Sequence, residues 1–208
     1  EYRKTKNKQL IDSSLYCLNK AFELHWQHPG KVSGNTFVIS CINLANYYLE
    51  FADSPADVKQ EKAFQYLRFA EDKLQQGHAS AEKWISVFGI KSGFAKRAGK
   101  LNLAETYLQQ GLSLLLSHEG SHHKLAYSVN KELANITLQR NEPALAITYQ
   151  QRAEELLKKS FDEQQLLNAQ KLEIQFETAK KDQELRLLKE REDFRRQQNY
   201  LYGGIAIA

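Results

Sequence analysis

The octapeptide SHEGSHHK, Ser117–Lys124, gathers four side chains capable of metal chemistry: His118, Glu119, His122 and His123. Imidazole nitrogen and carboxylate oxygen are zinc donors, and two histidines four apart on a helix would present both rings on one face. His118 and His122 meet that condition only if the helix continues through Gly120, a residue that ends helices more readily than it extends them. A polar loop between helices is therefore expected here, with no metal. His25 and His28 flank Trp26 near a predicted helix end, where capping explains them better than ligation. Cys17 and Cys41 fall on neighbouring predicted helices. Mirroring about a turn near Gly30–Gly34 sets Cys17 opposite residue 46 or 47, more than a turn from Cys41, so two buried free thiols are expected rather than a disulfide. The sequence has no Gly-rich phosphate loop, no nucleophile elbow and no paired-Cys zinc motif, so neither a catalytic residue nor a cofactor is expected in this segment.

The elements that carry these residues are read from composition first. A 208-residue chain suffices for one domain or one array of repeats. With 42% hydrophobic and 26% charged residues, it is neither a disordered tail nor a polytopic membrane protein. Only 10 Gly and 3 Pro interrupt it, which favours long helices, and a net charge of +4 is too small to argue for nucleic acid. The chain begins without Met and ends in an apolar stretch, so it reads as a fragment of a longer protein.

Small and aromatic residues then recur in register. Ala63/Tyr66/Ala70, Ala104/Tyr107/Gly111 and Ala146/Tyr149/Ala153 each step three and then four residues, one helical face every time. Ala63 to Ala104 is 41 residues and Ala104 to Ala146 is 42; a step back of 42 reaches a weaker copy at Ala21. Each of the three helices follows another that carries its own small residue: Ala45, Ser92 or Ala134. The interval from Ala45 to Ala63 is six residues longer than the 12 of the other two pairs, and FADSPADVKQ, with Pro55, is expected to hold the excess as a longer turn. Small residues let antiparallel helices approach closely, and a pair that cannot bury its apolar face alone stacks into a solenoid. Helices are predicted near 2–27, 35–51, 57–76, 79–98, 101–117, 122–140 and 143–159. Pro143 suits a first turn, and Gly77, Gly99 and Gly120 suit helix ends.

This spacing resembles the tetratricopeptide repeat over about 19–160. The turn-forming position before its second helix is matched by Gly99 and Asn141. The period is longer than the family's usual ~34, and the family's first-helix Trp is absent. The resemblance implies an all-α solenoid of antiparallel helix pairs whose first helices line a concave groove. It places Asn46, Lys96, Arg97, Lys131 and Asn135 in that groove, where Asn binds an extended peptide backbone and Lys or Arg binds carboxylates. Asn46 and Asn135 close the repeated tripeptide LAN. The same polar face could also be solvated without a ligand.

Composition changes after Phe161. A separate helix is predicted from about 162 to 202, with Leu166, Ala169, Leu172, Phe176 and Ala179 on a heptad-like stripe, partly restored at Leu185, Leu188 and Phe194. Its first half suits either a capping helix or a coiled coil, and its second half a coiled coil that dimerises. From Tyr200 the sequence YLYGGIAIA reads as the start of a membrane span, since Tyr is enriched at membrane interfaces. The alternative is a buried helix end.

Repeats followed by FETAKKDQELRLLKEREDFRRQQNYLYGGIAIA resemble sensor proteins of Bacteroidetes-type bacteria. Their junction signature is matched at Phe176, Glu177, Thr178, Lys180, Lys181, Glu184, Leu185 and Leu188, with Phe for Tyr and Leu for Ile. The resemblance implies repeats at 1–160, a linker helix at 161–199 and a membrane span from 200. The output, in most such proteins a histidine kinase, would lie beyond. The expected role is a sensory domain that binds a peptide or protein, forms a homodimer through the C-terminal helix and lies outside the cytoplasmic membrane. Arg195 and Arg196 argue for the opposite orientation. A soluble repeat adaptor or peptide-responsive transcription regulator is the alternative.

Overall fold

The structure, a computed structural model, describes residues 8–28, 30–77, 80–117 and 122–205, and the side chains of these except 8, 9, 194 and 197–205. The described residues form seven α-helices and no strand: α1 Lys8–Gln27, α2 Gly34–Glu50, α3 Ala56–Gln75, α4 Ala81–Arg97, α5 Leu101–Ser117, α6 His123–Gln139 and α7 Pro143–Ile205. The chain divides into two compact units, Glu1–Leu157 and Lys158–Ala208.

In the first unit each helix from α1 to α5 packs on its successor, and α2 also touches α4. That order is consistent with stacked helix pairs. The small residues occupy the contacts. Ala45, Ala63, Ala70, Ser92, Ala104, Ala134, Ala146 and Ala153 are all buried, as is Gly111. A Cβ at Gly111 would stand 3.5 Å from Ile85 and 3.6 Å from Phe88, ordinary contact distances between antiparallel α4 and α5. The aromatic members serve three different neighbourhoods. Tyr66 packs edge-on against Phe22 and stacks with Tyr48, Tyr107 stacks with Phe88, and Tyr149 is buried in the second core cluster with Leu108, Leu133 and Ile136.

The turns follow from local chemistry. Gly99 and Asn141 both take positive φ, 71° and 60°. In each case the next amide reaches back five residues, Lys100 to Ala95 and Glu142 to Thr137, so orphan carbonyls at the ends of α4 and α6 are satisfied. Pro143 opens α7, where its missing N–H costs nothing. Ser33 caps α2 by accepting the Thr36 amide at 3.1 Å. Gly77 follows α3 with φ 102°, while Gly120 lies outside the described residues.

Two sequence expectations change. FADSPADVKQ is a turn only through Pro55, and its remainder belongs to α3, which Pro55 precedes and Asp57 favours in the first turn. The predicted break near Ser160 is absent: α7 is one helix of 63 residues. From Ala144 to Tyr202 it meets neither Gly nor Pro, so nothing interrupts the backbone ladder.

In the second unit the apolar side chains of α7 face solvent. Leu166, Leu172, Leu185 and Leu188 are exposed, and Phe176 is 73% exposed. The side chain of Phe194 lies outside the described set. No helix among the described residues is long and apolar enough to cross a membrane. The side chains from Tyr200 onward and residues 206–208, which carry the membrane expectation, also lie outside that set.

Candidate peptide-binding groove

Helices α2, α4 and α6 line a cavity of about 580 Å³ in the first unit. Its apolar wall is supplied by Ile42, Ile85, Ile90, Leu125 and Val129. Its polar edge carries Asn43, Asn46, Ser86 and Ser128 together with Glu50, Lys96, Arg97 and Glu132. Of the groove residues inferred by resemblance, Asn46, Lys96 and Arg97 line this cavity, whereas Lys131 and Asn135 do not. Lys131 is exposed with its ammonium 5.9 Å from the Tyr127 ring centre, and the Asn135 amide donates to Glu132 at 3.3 Å. The two LAN tripeptides therefore present their asparagines differently.

The cations need a second correction. Lys96 is bonded to the Glu132 carboxylate. Arg97 donates one guanidinium nitrogen to the main-chain carbonyl of Leu49 and another, at 3.1 Å, to Glu50. Leu49 lies in the last turn of α2, so Arg97 satisfies a carbonyl that the helix leaves without a partner. Both positive charges have carboxylate partners inside the protein. Glu132 and Glu50 balance these two charges, so the rim as a whole is neutral. Ser86 and Ser128 hydroxyls donate to carbonyls of their own helices at Glu82 and Lys124. Asn43 and Asn46 have no hydrogen-bond partner among the described residues. Each offers a carbonyl acceptor and an amide donor, the pair that matches a peptide unit.

Asn43 and Asn46 also line a second cavity, about 870 Å³, between α1 and α2, with Ile11, Leu15, Leu18, Tyr47 and Phe51. Cys17 lies there and is exposed, which overturns its expected burial: the α1–α2 surface that it lines is open to solvent. Cys41 is buried among the α2–α3 core, and neither cysteine is bonded to the other. Burial pushes the Cys41 thiol up to about 12.

His25 does not cap. Its ring stacks on Phe37 with centres 3.9 Å apart, in a cluster completed by Phe22, Trp26 and Phe69. His28 lies just past α1, where its own amide is bonded to Leu24. In the His-rich octapeptide, His118 and Glu119 lie outside the described residues, while His122 has its Nδ1 3.9 Å from Glu82 of α4. Among the described residues no cluster of three or more metal-type ligands occurs.

The sequence reading missed Glu105. This carboxylate is buried at the α5–α6–α7 junction, where it is bonded to Arg140 and accepts from Gln109 at 3.0 Å and from the Tyr149 hydroxyl at 3.5 Å. The available signal was spacing: Glu105 lies four residues after Leu101 and three before Leu108, so it shares their helical face. No protein-family model matches the chain, and no curated protein is significantly similar to it.

Proposed function

We propose that this chain is the sensory, protein-interacting segment of a membrane-anchored two-component signalling protein. It binds a peptide or protein in the α2–α4–α6 groove and signals through α7, which pairs with α7 of a second copy. The kinase chemistry belongs to the parent protein, and the repeats lie outside the cytoplasmic membrane. The observation that supports this reading best is the groove itself: α2, α4 and α6 contribute one cavity whose lining includes two asparagine side chains, Asn43 and Asn46, without a partner among the described residues.

The exposed stripe on α7 supports the pairing. Fully burying a Leu or Phe contributes roughly 1.5–3 kcal/mol, and Leu172, Phe176, Leu185 and Leu188 of each chain, at 54–73% exposure, retain over half of that each. Eight side chains then supply about 8–16 kcal/mol, against an association cost of about 4–15 kcal/mol. The balance is close enough that confinement to a membrane would decide it. Single cysteines placed across 166–188 of the membrane-embedded parent, in a Cys17→Ser background, should crosslink with a heptad rhythm. Crosslinking at none of them, or equally at all, would exclude a paired helix.

A further inference from the structure

The groove contains a glycine that the fold does not require. Gly89 lies in the middle of α4, has no positive φ, and a Cβ built on it would meet nothing within 4 Å. Gly93, one turn later, is explained by packing: its Cβ would stand 2.8 Å from Leu49 Cδ2, where α2 crosses α4. Gly89 has no such neighbour. The repeat does not ask for a small residue there either. With Ala45, Ser92 and Ala134 aligned, its counterparts are Ile42 and Lys131. A glycine inside a helix weakens it by about 1 kcal/mol relative to alanine. Here that weakness leaves bare backbone facing the cavity, beside Ile85, Ile90 and Asn46.

Taken with the neutral rim, we infer that the groove accepts an uncharged, extended peptide segment. A bulky apolar side chain of that segment stands on the bare backbone at Gly89, and its main-chain amides are bonded by Asn46 and Asn43. This inference rests on the peptide-binding reading above. It departs from carboxylate recognition because Lys96 and Arg97 already hold Glu132 and Glu50. A charged peptide would gain no free counter-ion, whereas an apolar side chain gains the Ile42–Ile85–Ile90–Val129 wall.

The test selects phage-displayed random dodecapeptides on the immobilised full chain and measures the enriched peptides by calorimetry. Neutral peptides sharing a large apolar residue should emerge. Gly89→Ala should weaken them roughly tenfold or more, since one methyl fills the seat, while the melting midpoint rises or holds. Enrichment of acidic peptides, or affinity indifferent to Gly89→Ala, overturns this inference and leaves peptide binding standing. No enrichment by the folded wild-type chain overturns both. A lower melting midpoint for Gly89→Ala would show that the glycine serves the fold and would also overturn the inference.

Discussion

Replacing Ala104 with Leu tests the packing that the repeat depends on. Ala104 has no exposed surface and sits in the second core cluster with Ala95, Leu108, Leu133, Ala134 and Tyr149. Two of these neighbours are alanines, so the helices are already close and the leucine has no void to enter. Overpacking of this kind costs about 1–3 kcal/mol. For a cooperative unit of this size each kcal/mol lowers the melting midpoint by about 2–4 °C, giving a fall of roughly 2–12 °C. Trp26 and Trp84, the chain's 2 tryptophans, both lie in the repeat unit, so their fluorescence follows its melting without the signal of the long helix. Gln110→Leu adds a leucine at an exposed site of the same helix and should shift stability by about 0.5 kcal/mol or less. Equal midpoints for the two variants would refute the close-packing argument.

Gly111→Ala should act in the opposite direction. Its methyl fits at ordinary contact distance from Ile85 and Phe88, and the gain in helix propensity should raise the same fluorescence midpoint by about 2–4 °C. The two cysteines should separate by reactivity and by pH. Cys17 should react with a thiol reagent in the native protein, whereas Cys41 should react only on unfolding, as timed labelling with and without denaturant would show. Because the folded Cys41 thiol is raised from 9.0 to about 12, the native state keeps a proton that the unfolded chain loses. The stability from this group is fully present below pH 9 and is lost as pH rises towards 12, at about 1.4 kcal/mol per pH unit. Denaturant titrations at pH 8 and pH 10 should show a smaller loss in Cys41→Ala than in the wild type.

By itself the sequence determined the helices and much of how they meet. Periodicity over a few turns identified the apolar faces, and the recurrence of Ala63, Ala104 and Ala146 located the contacts, because residues three and four apart share a face whatever lies opposite. Gly99 and Asn141 could be read as turns for an equally local reason: they tolerate the positive φ that ends a helix. The uninterrupted α7 was also written locally, in the lack of Gly and Pro from Ala144 to Tyr202, although the change of composition near Phe161 suggested a break. Only the tertiary structure decided the state of the polar residues. Lys96 finds Glu132 at a separation of 36 residues and Arg97 finds Glu50 at 47, partnerships that depend on where α2, α4 and α6 lie beside one another. The same packing turned Cys17 outward, drew Glu105 inward to Arg140 and Tyr149, and left Gly89 facing open space. A side chain's charge and size are fixed by its own residue type. Whether that charge is already neutralised, and whether a small residue has a neighbour, are properties of helices that meet only after the chain has folded.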